Sequence, residues 1–193
     1  MFSYDFLFNN RNMTKEELRK WIRIEKKKIT LAEKRQRSKA IWQQMEKNEK
    51  FLNASVVLLY WSMADEVYTH EFVQKWATQK TLLLPVVDGD NLRIKPFRGI
   101  ENMMISEQFG IGEPIGDDFE DLSKIEVIIV PGVAFDKKRN RMGRGRGYYD
   151  KLLSTNNAYK IGVGFDFQIQ EAVPVEQFDI AMDCVISESE IFV

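Results

Sequence analysis

The chain has 193 residues, of which 44% are hydrophobic, so it can bury one substantial core. No proline- or serine-rich linker divides it, and we expect a single domain that spans residues 1–193. Its formal net charge of −1 argues against a general nucleic-acid binder, because such proteins are strongly basic as a whole.

The N-terminal part begins with aromatic residues and continues as two basic helices. Residues 1–12 contain four aromatic side chains and either dock on the domain or are poorly ordered. Thr14 with Glu17, and Thr30 with Glu33, match the capping box, in which a hydroxyl and a carboxylate satisfy free N–H groups of the first helical turn. The spacing therefore predicts two helices that meet near Thr30.

Short apolar and β-branched segments then alternate with a helical pattern. Strands are predicted at residues 56–61, 81–87, 125–130, 160–165 and 184–186, with a helix at 66–79. Because a strand, a helix and a second strand in succession form a parallel pair, this order predicts a layered α/β domain with a mostly parallel sheet flanked by helices. Ligands bind beyond the carboxyl ends of such strands, so residues 61–66, 131–150 and the loop after Phe165 should share one edge.

Cysteine content and hydropathy indicate the cellular compartment. Cys184 is the only cysteine, which excludes an internal disulfide and a cysteine-only zinc site, and fits a reducing environment. No run of about eighteen apolar residues exists, and the opening residues lack the pattern of a secretory signal. We expect a cytoplasmic monomer that does not contact membranes.

The segment 131–150, PGVAFDKKRNRMGRGRGYYD, carries the most information. Its glycines after the hydrophobic part are Gly143, Gly145 and Gly147, and its arginines there are Arg141, Arg144 and Arg146. The glycines permit close approach of a ligand, the arginines add charge and forked donors, and the start of the following helix adds N–H groups. A strand, a glycine-rich loop and a helix start predict an anion site, with phosphate as the natural ligand.

The glycine pattern by itself is not diagnostic. No Gly-Lys-Ser/Thr ends it, so it is not a Walker loop, and the spacing of its third glycine differs from the dinucleotide fingerprint. Taken alone, GxGxG is as well explained by a tight turn with solvated arginines as by a phosphate site.

The surrounding residues are more specific. They comprise VPGVAFD at 130–136, RMG at 141–143 and GRGYYD at 145–150, with outlying matches at Lys15, Leu18-Arg19, Asp65-Glu66, Leu84-Pro85, Gln168, Val173-Pro174 and Asp179. Together they resemble the 5-formyltetrahydrofolate cyclo-ligases, also called 5,10-methenyltetrahydrofolate synthetases. The resemblance implies a cytosolic enzyme of folate metabolism that uses ATP and Mg²⁺, with an α/β fold similar to that of ribose-5-phosphate isomerase and the coenzyme A transferases.

One position departs from the family pattern. A glycine is usual between Phe135-Asp136 and Arg141, whereas this chain has Arg139-Asn140. Because asparagine tolerates the left-handed conformation better than most residues, we expect the turn to shift by one position.

The implied reaction is an ATP-driven ring closure. The formyl oxygen on N5 attacks the γ-phosphorus, N10 attacks the activated formyl carbon, and phosphate and ADP are released. The protein mainly positions two ligands and neutralises the transferring phosphoryl group. No unusual acid or base is required, which suits a chain whose single histidine, His70, lies in a predicted helix away from the motif.

Charge, reach and the resemblance together assign the nucleotide site. The ATP-binding candidates are Lys15, Arg19, Arg141, Gly143, Arg144, Gly145, Arg146, Gly147, Tyr148 and Tyr149. Arg144 and Arg146 are the catalytic candidates, and loss of Arg146 should damage turnover most. The alternatives are loop arginines that only maintain solubility, and a solvated helix face at Lys15 and Arg19.

The metal and folate assignments follow the same reasoning. Mg²⁺ needs oxygen ligands, for which Asp150 and Asp179 are candidates, although the first could cap a helix and the second could close a turn. The folate candidates are Trp61, Met63, Glu66, Arg144, Gly145, Arg146, Gly147 and Tyr148. Without the resemblance, core packing explains Trp61 and Met63 equally well.

Two other classes of function compete with this interpretation. A binder of single-stranded nucleic acid or phosphoprotein would use residues 139–146 with Tyr148 and Tyr149 as a basic and aromatic surface. A sugar-phosphate isomerase or coenzyme A transferase relative would share the fold and the anion loop without ATP chemistry. The near-neutral net charge disfavours the first, so we expect small-molecule substrates and no nucleic acid.

Overall fold

The structure is a computed structural model that describes residues 13–106 and 110–193. The expectation for residues 1–12 lies outside this range. Within it, no helix combines the length and apolar character needed to cross a membrane.

The described residues form helices on a central sheet. The helices are α1 (Lys15–Lys28), α2 (Leu31–Met45), α3 (Glu49–Asn53), α4 (His70–Trp76) and α5 (Tyr148–Ser154). The strands are β1 (Val56–Leu58), β2 (Thr81–Asp88), β3 (Asn91–Pro96), β4 (Met103–Ile105), β5 (Gly112–Pro114), β6 (Val127–Pro131), β7 (Ala134–Asp136), β8 (Arg141–Met142), β9 (Tyr159–Val163), β10 (Ile169–Gln170), β11 (Cys184–Ile186) and β12 (Ile191–Phe192). Short 3-10 turns occupy Ile100–Asn102, Leu122–Lys124 and Asp166–Gln168.

Both predicted capping boxes are confirmed. The Thr14 hydroxyl accepts from the Glu17 amide at 3.2 Å, while the Glu17 carboxylate accepts from the Thr14 amide at 2.8 Å. Thr30 and Glu33 form the same pair of bonds at the start of α2. These bonds satisfy N–H groups that a first helical turn leaves free, so α1 and α2 begin where the sequence predicts.

The mostly parallel sheet is also confirmed. Its strand order is β12-β11-β9-β6-β1-β2-β3. The strands from β11 to β2 in that order run parallel, and the two edge strands, β12 and β3, pair antiparallel. Two small sheets, β10-β7-β8 and β4-β5, stand beside it.

Alternating side chains of the sheet bury two cores, as period-2 geometry requires. Ile129 points to the side covered by α2, α3 and α4, where it joins the cluster that contains Phe51. Ile128 points to the opposite side and joins the cluster that contains Leu152 of α5. A third cluster joins Leu18 of α1 to Met142 of β8, so α1 lies against the small β7–β8 hairpin.

Two predicted elements are wrong in extent. The strand predicted at 56–61 ends at Leu58, and the helix predicted at 66–79 is only His70–Trp76. Side chains capture the backbone between them: Glu66 accepts from the Met63 amide at 2.9 Å, and Ser62 and Thr69 exchange amide-to-hydroxyl bonds at 2.9 and 3.1 Å. These local bonds compete with helix and strand, so the segment is a fixed loop.

The segment 131–150 is more ordered than the predicted glycine-rich loop. Ala134–Asp136 and Arg141–Met142 pair antiparallel as a hairpin, and β10 adds to β7 in parallel. The Gln168 side-chain amide also donates to the carbonyls of Gly132 and Val133, both at 2.9 Å. The longest irregular stretches are the hairpin turn at 137–140 and the part from Gly143 to Gly147.

The expected shift of the turn to Asn140 is wrong. Arg139, not Asn140, adopts the left-handed conformation, with φ of 68°. Asn140 instead holds the carboxylate of Asp136, donating its amide to Oδ1 at 3.0 Å and its side-chain nitrogen to Oδ2 at 2.9 Å. The hairpin therefore turns with an arginine in a backbone conformation that favours glycine.

Replacing Arg139 by glycine should stabilise the protein. A left-handed residue with a Cβ atom costs roughly 1–2 kcal/mol, part of which the greater unfolded-state freedom of glycine offsets. We expect Arg139→Gly to raise the free energy of unfolding by about 1 kcal/mol in urea denaturation. Lys138→Gly, at a position without positive φ, is the control and should lower the free energy of unfolding. Equal destabilisation by both changes would contradict the claim that the backbone at Arg139 is strained.

Candidate active site

A cleft of about 970 Å³ opens at the carboxyl ends of β1 and β6, as the parallel sheet predicts. Every candidate residue lines it: Lys15, Arg19, Trp61, Met63, Glu66, Arg141, Gly143, Arg144, Gly145, Arg146, Gly147, Tyr148, Tyr149, Asp150 and Asp179. The loop after Phe165 also reaches the cleft, as expected, but the residues that line the cleft are 176–180 and not the first residues of the loop. The residues singled out in the sequence therefore lie around one cavity.

Helix α1 supplies cations to one wall of the cleft. Lys15 Nζ lies 2.7 Å from Asp179 Oδ2 and 3.3 Å from Glu176 Oε1. Arg19 Nε donates to the carbonyl of Gly143 at 3.1 Å, which ties the helix to the glycine segment. These two side chains are engaged with the site and do not form a freely solvated helix face.

Arg141 is a buried arginine that anchors the floor of the site. Its side chain is 4% exposed; Nη2 donates to Asp150 Oδ1 at 2.8 Å and Nη1 to the carbonyl of Pro131 at 3.2 Å. Its guanidinium also lies 5.6 Å from the ring centre of Tyr149. Its Nε is buried and has no hydrogen-bond partner among the described residues, so one polar group here remains unsatisfied.

Arg144 is clamped by the acidic pair at the end of the β1 loop. Nη2 lies 2.6 Å from Asp65 Oδ1 and 3.1 Å from Glu66 Oε1, and Nε lies 3.4 Å from Glu66 Oε1. Burial lowers the pKa of Arg144, but the two carboxylates outweigh burial and raise it above its ordinary value. The ligand-binding role of Glu66 stays a prediction, and its carboxylate already accepts from Arg144 and from the Met63 amide.

Arg146 is an exposed arginine of the segment, as Arg144 is, but differs from it in its contacts. It forms no hydrogen bond or ion pair with any residue in the described ranges, and the cleft is lined by its side chain. Gly145 and Gly147, on either side, have φ of 97° and 71°, which residues with a Cβ atom rarely adopt. This backbone holds a guanidinium at the cleft without committing it to a protein partner.

The start of α5 is fixed to the β2–β3 turn. Tyr148 Oη donates to the carbonyl of Gly89 at 3.1 Å, and Lys151 Nζ donates to the carbonyl of Asp90 at 2.9 Å. Burial raises the pKa of Tyr149 far above its ordinary value, so this phenol stays neutral. These bonds set the position of the glycine segment relative to β2 and β3.

Asp150 and Asp179 offer carboxylate oxygens on the same cleft. Arg141 occupies one oxygen of Asp150, and Lys15 with the Glu176 amide occupies one oxygen of Asp179. Burial raises the pKa of Asp179, but these donors outweigh burial and lower it. Among the described side chains, no group of three or more His, Cys, Asp or Glu could hold a metal ion. This donor set fits Mg²⁺ in its usual manner, with phosphate oxygens and water completing the octahedron.

Trp61 lies in the wall of the cleft and also packs against other aromatic rings. It lines the cleft, and it stacks on His70 with centroids 3.9 Å apart and on Phe97 with centroids 5.8 Å apart. His70 is the first residue of α4 and lies directly behind this cleft residue, closer to the site than its sequence position indicates. Its Nε2 is 3.2 Å from the carbonyl of Ser62.

Stability should fall when the solution is acidified through pH 6.5 because of His70. Burial, followed by nearby Arg35 and Lys34, lowers its pKa below 6.5, while the Ser62 carbonyl opposes this. Since the unfolded chain then binds the proton more readily, unfolding is favoured as pH falls from 6.5 through the lower folded pKa. Urea denaturation between about pH 7.5 and 5.5 should show this loss, and His70→Phe should show a flatter response. An unchanged slope would contradict the assignment.

Lys26 is a buried cation near the site that the sequence pattern does not single out. Lys26 Nζ lies 3.1 Å from Asp65 Oδ2, and its side chain is only 7% exposed. Burial lowers its pKa, although Asp65 opposes that effect. Lys26 follows Lys15 by eleven residues, or about three turns, so helical spacing could have placed both on one face of α1.

Comparison with known proteins gives a consistent result. A model of the 5-formyltetrahydrofolate cyclo-ligase family matches residues 11–188. The 5-formyltetrahydrofolate cyclo-ligase of Escherichia coli strain K12 is 31% identical over 148 residues, covering 72% of this chain and 81% of that protein. The same-named protein of Haemophilus influenzae is 30% identical over 180 residues, covering 87% and 94%.

A solved structure shares the fold over nearly the whole length. The NMR structure of Aquifex aeolicus 5,10-methenyltetrahydrofolate synthetase superposes with a TM-score of 0.83 at 30% identity, covering 93% of this chain and 92% of that one. The match of the family model over most of the sequence, together with these relatives, shows that the chain belongs to the 5-formyltetrahydrofolate cyclo-ligase family of ligases.

Proposed function

We propose that the protein converts 5-formyltetrahydrofolate to 5,10-methenyltetrahydrofolate in an ATP-dependent reaction that also yields ADP and phosphate. The observation that carries this proposal is one cleft, whose lining combines six cationic residues and the Gly143–Gly147 segment with an aromatic wall. The cationic residues are Lys15, Arg19, Arg141, Arg144, Arg146 and Lys151. A triphosphate needs such a concentration of positive charge, and a pterin ring needs such a wall.

The reaction proceeds in two balanced steps. The formyl oxygen on N5 attacks the γ-phosphorus as the bond to ADP breaks. N10 then attacks the formyl carbon, phosphate leaves with that oxygen, and the proton of N10 leaves with the phosphate. Phosphorylation is required because an amide oxygen is otherwise a poor leaving group. The first step concentrates negative charge on the transferring group, so fixed cations lower its barrier.

The phosphate-binding roles divide according to the contacts already present. Arg146 has no partner within the described part of the chain and is assigned to the transferring phosphoryl group. Arg19 holds the glycine segment at the carbonyl of Gly143, and Arg141 joins Pro131 to Asp150 beside it. The amides of the glycine segment would then approach the phosphates. Arg144 contributes its remaining donors beside Arg146, and Tyr148 borders both ligands.

The metal and folate roles complete the proposal. Asp150 and Asp179 would hold Mg²⁺, which when bound supplies charge to the triphosphate. Trp61 and Met63 would hold the pterin ring, and Glu66 would accept from its polar edge with carboxylate oxygens that also accept from Arg144 and the Met63 amide. We further propose that the protein works as a cytoplasmic monomer with one domain; its lone cysteine, Cys184, is buried.

A direct assay tests the activity. The protein is incubated with 5-formyltetrahydrofolate, ATP and Mg²⁺, and the absorbance of the methenyl product is followed together with the release of ADP. We expect equal amounts of both products, and none when ATP or Mg²⁺ is left out. Product formation without ATP would contradict the phosphorylation step, and no product from folded protein would favour the isomerase- or transferase-like alternative.

A further inference from the structure

The loop that carries Arg144 is joined to two other parts of the fold by a row of alternating charges. Lys26 lies on α1, Asp65 lies in the loop after β1, and Arg144 lies before α5. Asp65 uses one oxygen for each cation: Oδ2 is 3.1 Å from Lys26 Nζ and Oδ1 is 2.6 Å from Arg144 Nη2. One carboxylate thus connects three segments that are far apart in sequence.

Asp65 is well suited to orient a neighbour. Burial raises the pKa of Asp65, but Lys26 and Arg144 outweigh burial and lower it, so the group is anionic at neutral pH. Lys26 is almost fully buried, which restricts where the carboxylate can turn. Lys26 therefore fixes Oδ2 of the carboxylate, while Oδ1 accepts from Arg144.

Some of the N–H donors of Arg144 are already bound to Asp65 and Glu66. Nε and Nη2 face Glu66 and Asp65, whereas Nη1 makes no hydrogen bond to any residue that the structure describes. A guanidinium carries five N–H donors in one plane, so fixing one side of it fixes the direction of the rest. Arg144 follows Gly143 and precedes Gly145, so its own backbone provides little restraint.

We propose that Asp65, supported by Lys26, is a positioning residue that aims the free Nη1 side of Arg144 at the substrate phosphate. This inference rests on the proposed function, because it assigns Arg144 to the reacting group. Without Asp65, Lys26 and Arg144 would repel each other and Arg144 would keep only Glu66. Misplacing a catalytic group by about 1 Å can cost up to about a hundredfold in rate, so the effect should be visible in turnover.

The test is a double-mutant cycle on kcat. We expect Asp65→Asn to lower kcat by about 10- to 100-fold with little change in KM for 5-formyltetrahydrofolate, and Lys26→Met to act in the same direction. In an Arg144→Ala background, Asp65→Asn should change kcat by less than about twofold, because its effect passes through Arg144. Equal effects in both backgrounds would contradict the proposal, since a purely structural role would be additive.

Two further variants separate charge from orientation. Asp65→Glu keeps the carboxylate and should recover part of the lost kcat. Asp118→Asn, which removes one carboxylate from the exposed Arg93–Asp118 pair outside the cleft, is the matched control and should leave kcat unchanged. A loss in Asp118→Asn as large as in Asp65→Asn would attribute the effect to general destabilisation.

The failure of this inference is distinguishable from the failure of the proposed function. Wild-type turnover is measured first, and its absence would contradict the proposed function alone. In that case crystal structures of the wild type and of Asp65→Asn decide the role of Asp65. Displacement of the Arg144 guanidinium in the variant would support the inference, and an unchanged position would overturn it.

Discussion

Replacing Arg146 by alanine should reduce kcat by about 10²–10³-fold, which is the effect of removing one fixed donor from a developing negative charge. Among the three arginines predicted to bind ATP in the segment, Arg141 is already engaged with Asp150 and Arg144 with the Asp65-Glu66 pair. Arg146 lines the cleft with no partner in the described ranges. Its guanidinium is therefore the one that can give all of its hydrogen-bond donors to the ligand.

Steady-state formation of the methenyl product measures this effect. Because Arg146 is exposed, its removal should leave the free energy of unfolding within about 0.5 kcal/mol of wild type. Arg98→Ala, at an exposed arginine that does not line the cleft, controls for loss of surface charge and should keep full activity. A tenfold rise in KM for ATP with unchanged kcat would show instead that Arg146 only binds the ground state.

The sequence predicted most of the architecture because the deciding signals are local. The capping boxes at Thr14 and Thr30 depend on residues three positions apart, and buried parallel strands appear as short apolar runs. The same locality explains the errors around Ser62 to Thr69, where apolar and helical periodicity extends through residues whose side chains bind the backbone. Periodicity alone does not reveal such competition.

The sequence predicts which residues line the cleft, but not which contacts these residues make with one another. The central motif and the parallel topology bring the glycine segment and the end of β1 to one edge. That Arg144 pairs with Asp65, however, depends on an approach between residues 79 positions apart. Lys26 escaped notice because a lysine on a basic helix is usually solvated, and only its burial behind Asp65 distinguishes it.

Replacing Phe135 by alanine should lower the free energy of unfolding by about 3–5 kcal/mol, the usual result of removing a buried phenyl ring. The ring is fully buried and joins the core on the α5 side of the sheet. It lies against the backbone of two glycines: a Cβ atom at Gly132, which follows β6, or at Gly162 of β9 would come within 2.5 Å of it. Three glycines, including Gly164, thus make room for a single side chain.

This packing connects stability to the site, because Phe135 lies on β7 and β7 begins the hairpin that leads to the arginine segment. Urea denaturation of Phe135→Ala should show a large shift in the midpoint. Phe178→Ala makes the same chemical change at a ring that is 78% exposed, and should shift the free energy of unfolding by less than about 0.5 kcal/mol. Equal shifts in the two variants would mean that the glycines do not form a seat for Phe135. Gly162→Ala should reproduce part of the loss, since the added methyl group collides with the ring while the ring itself remains.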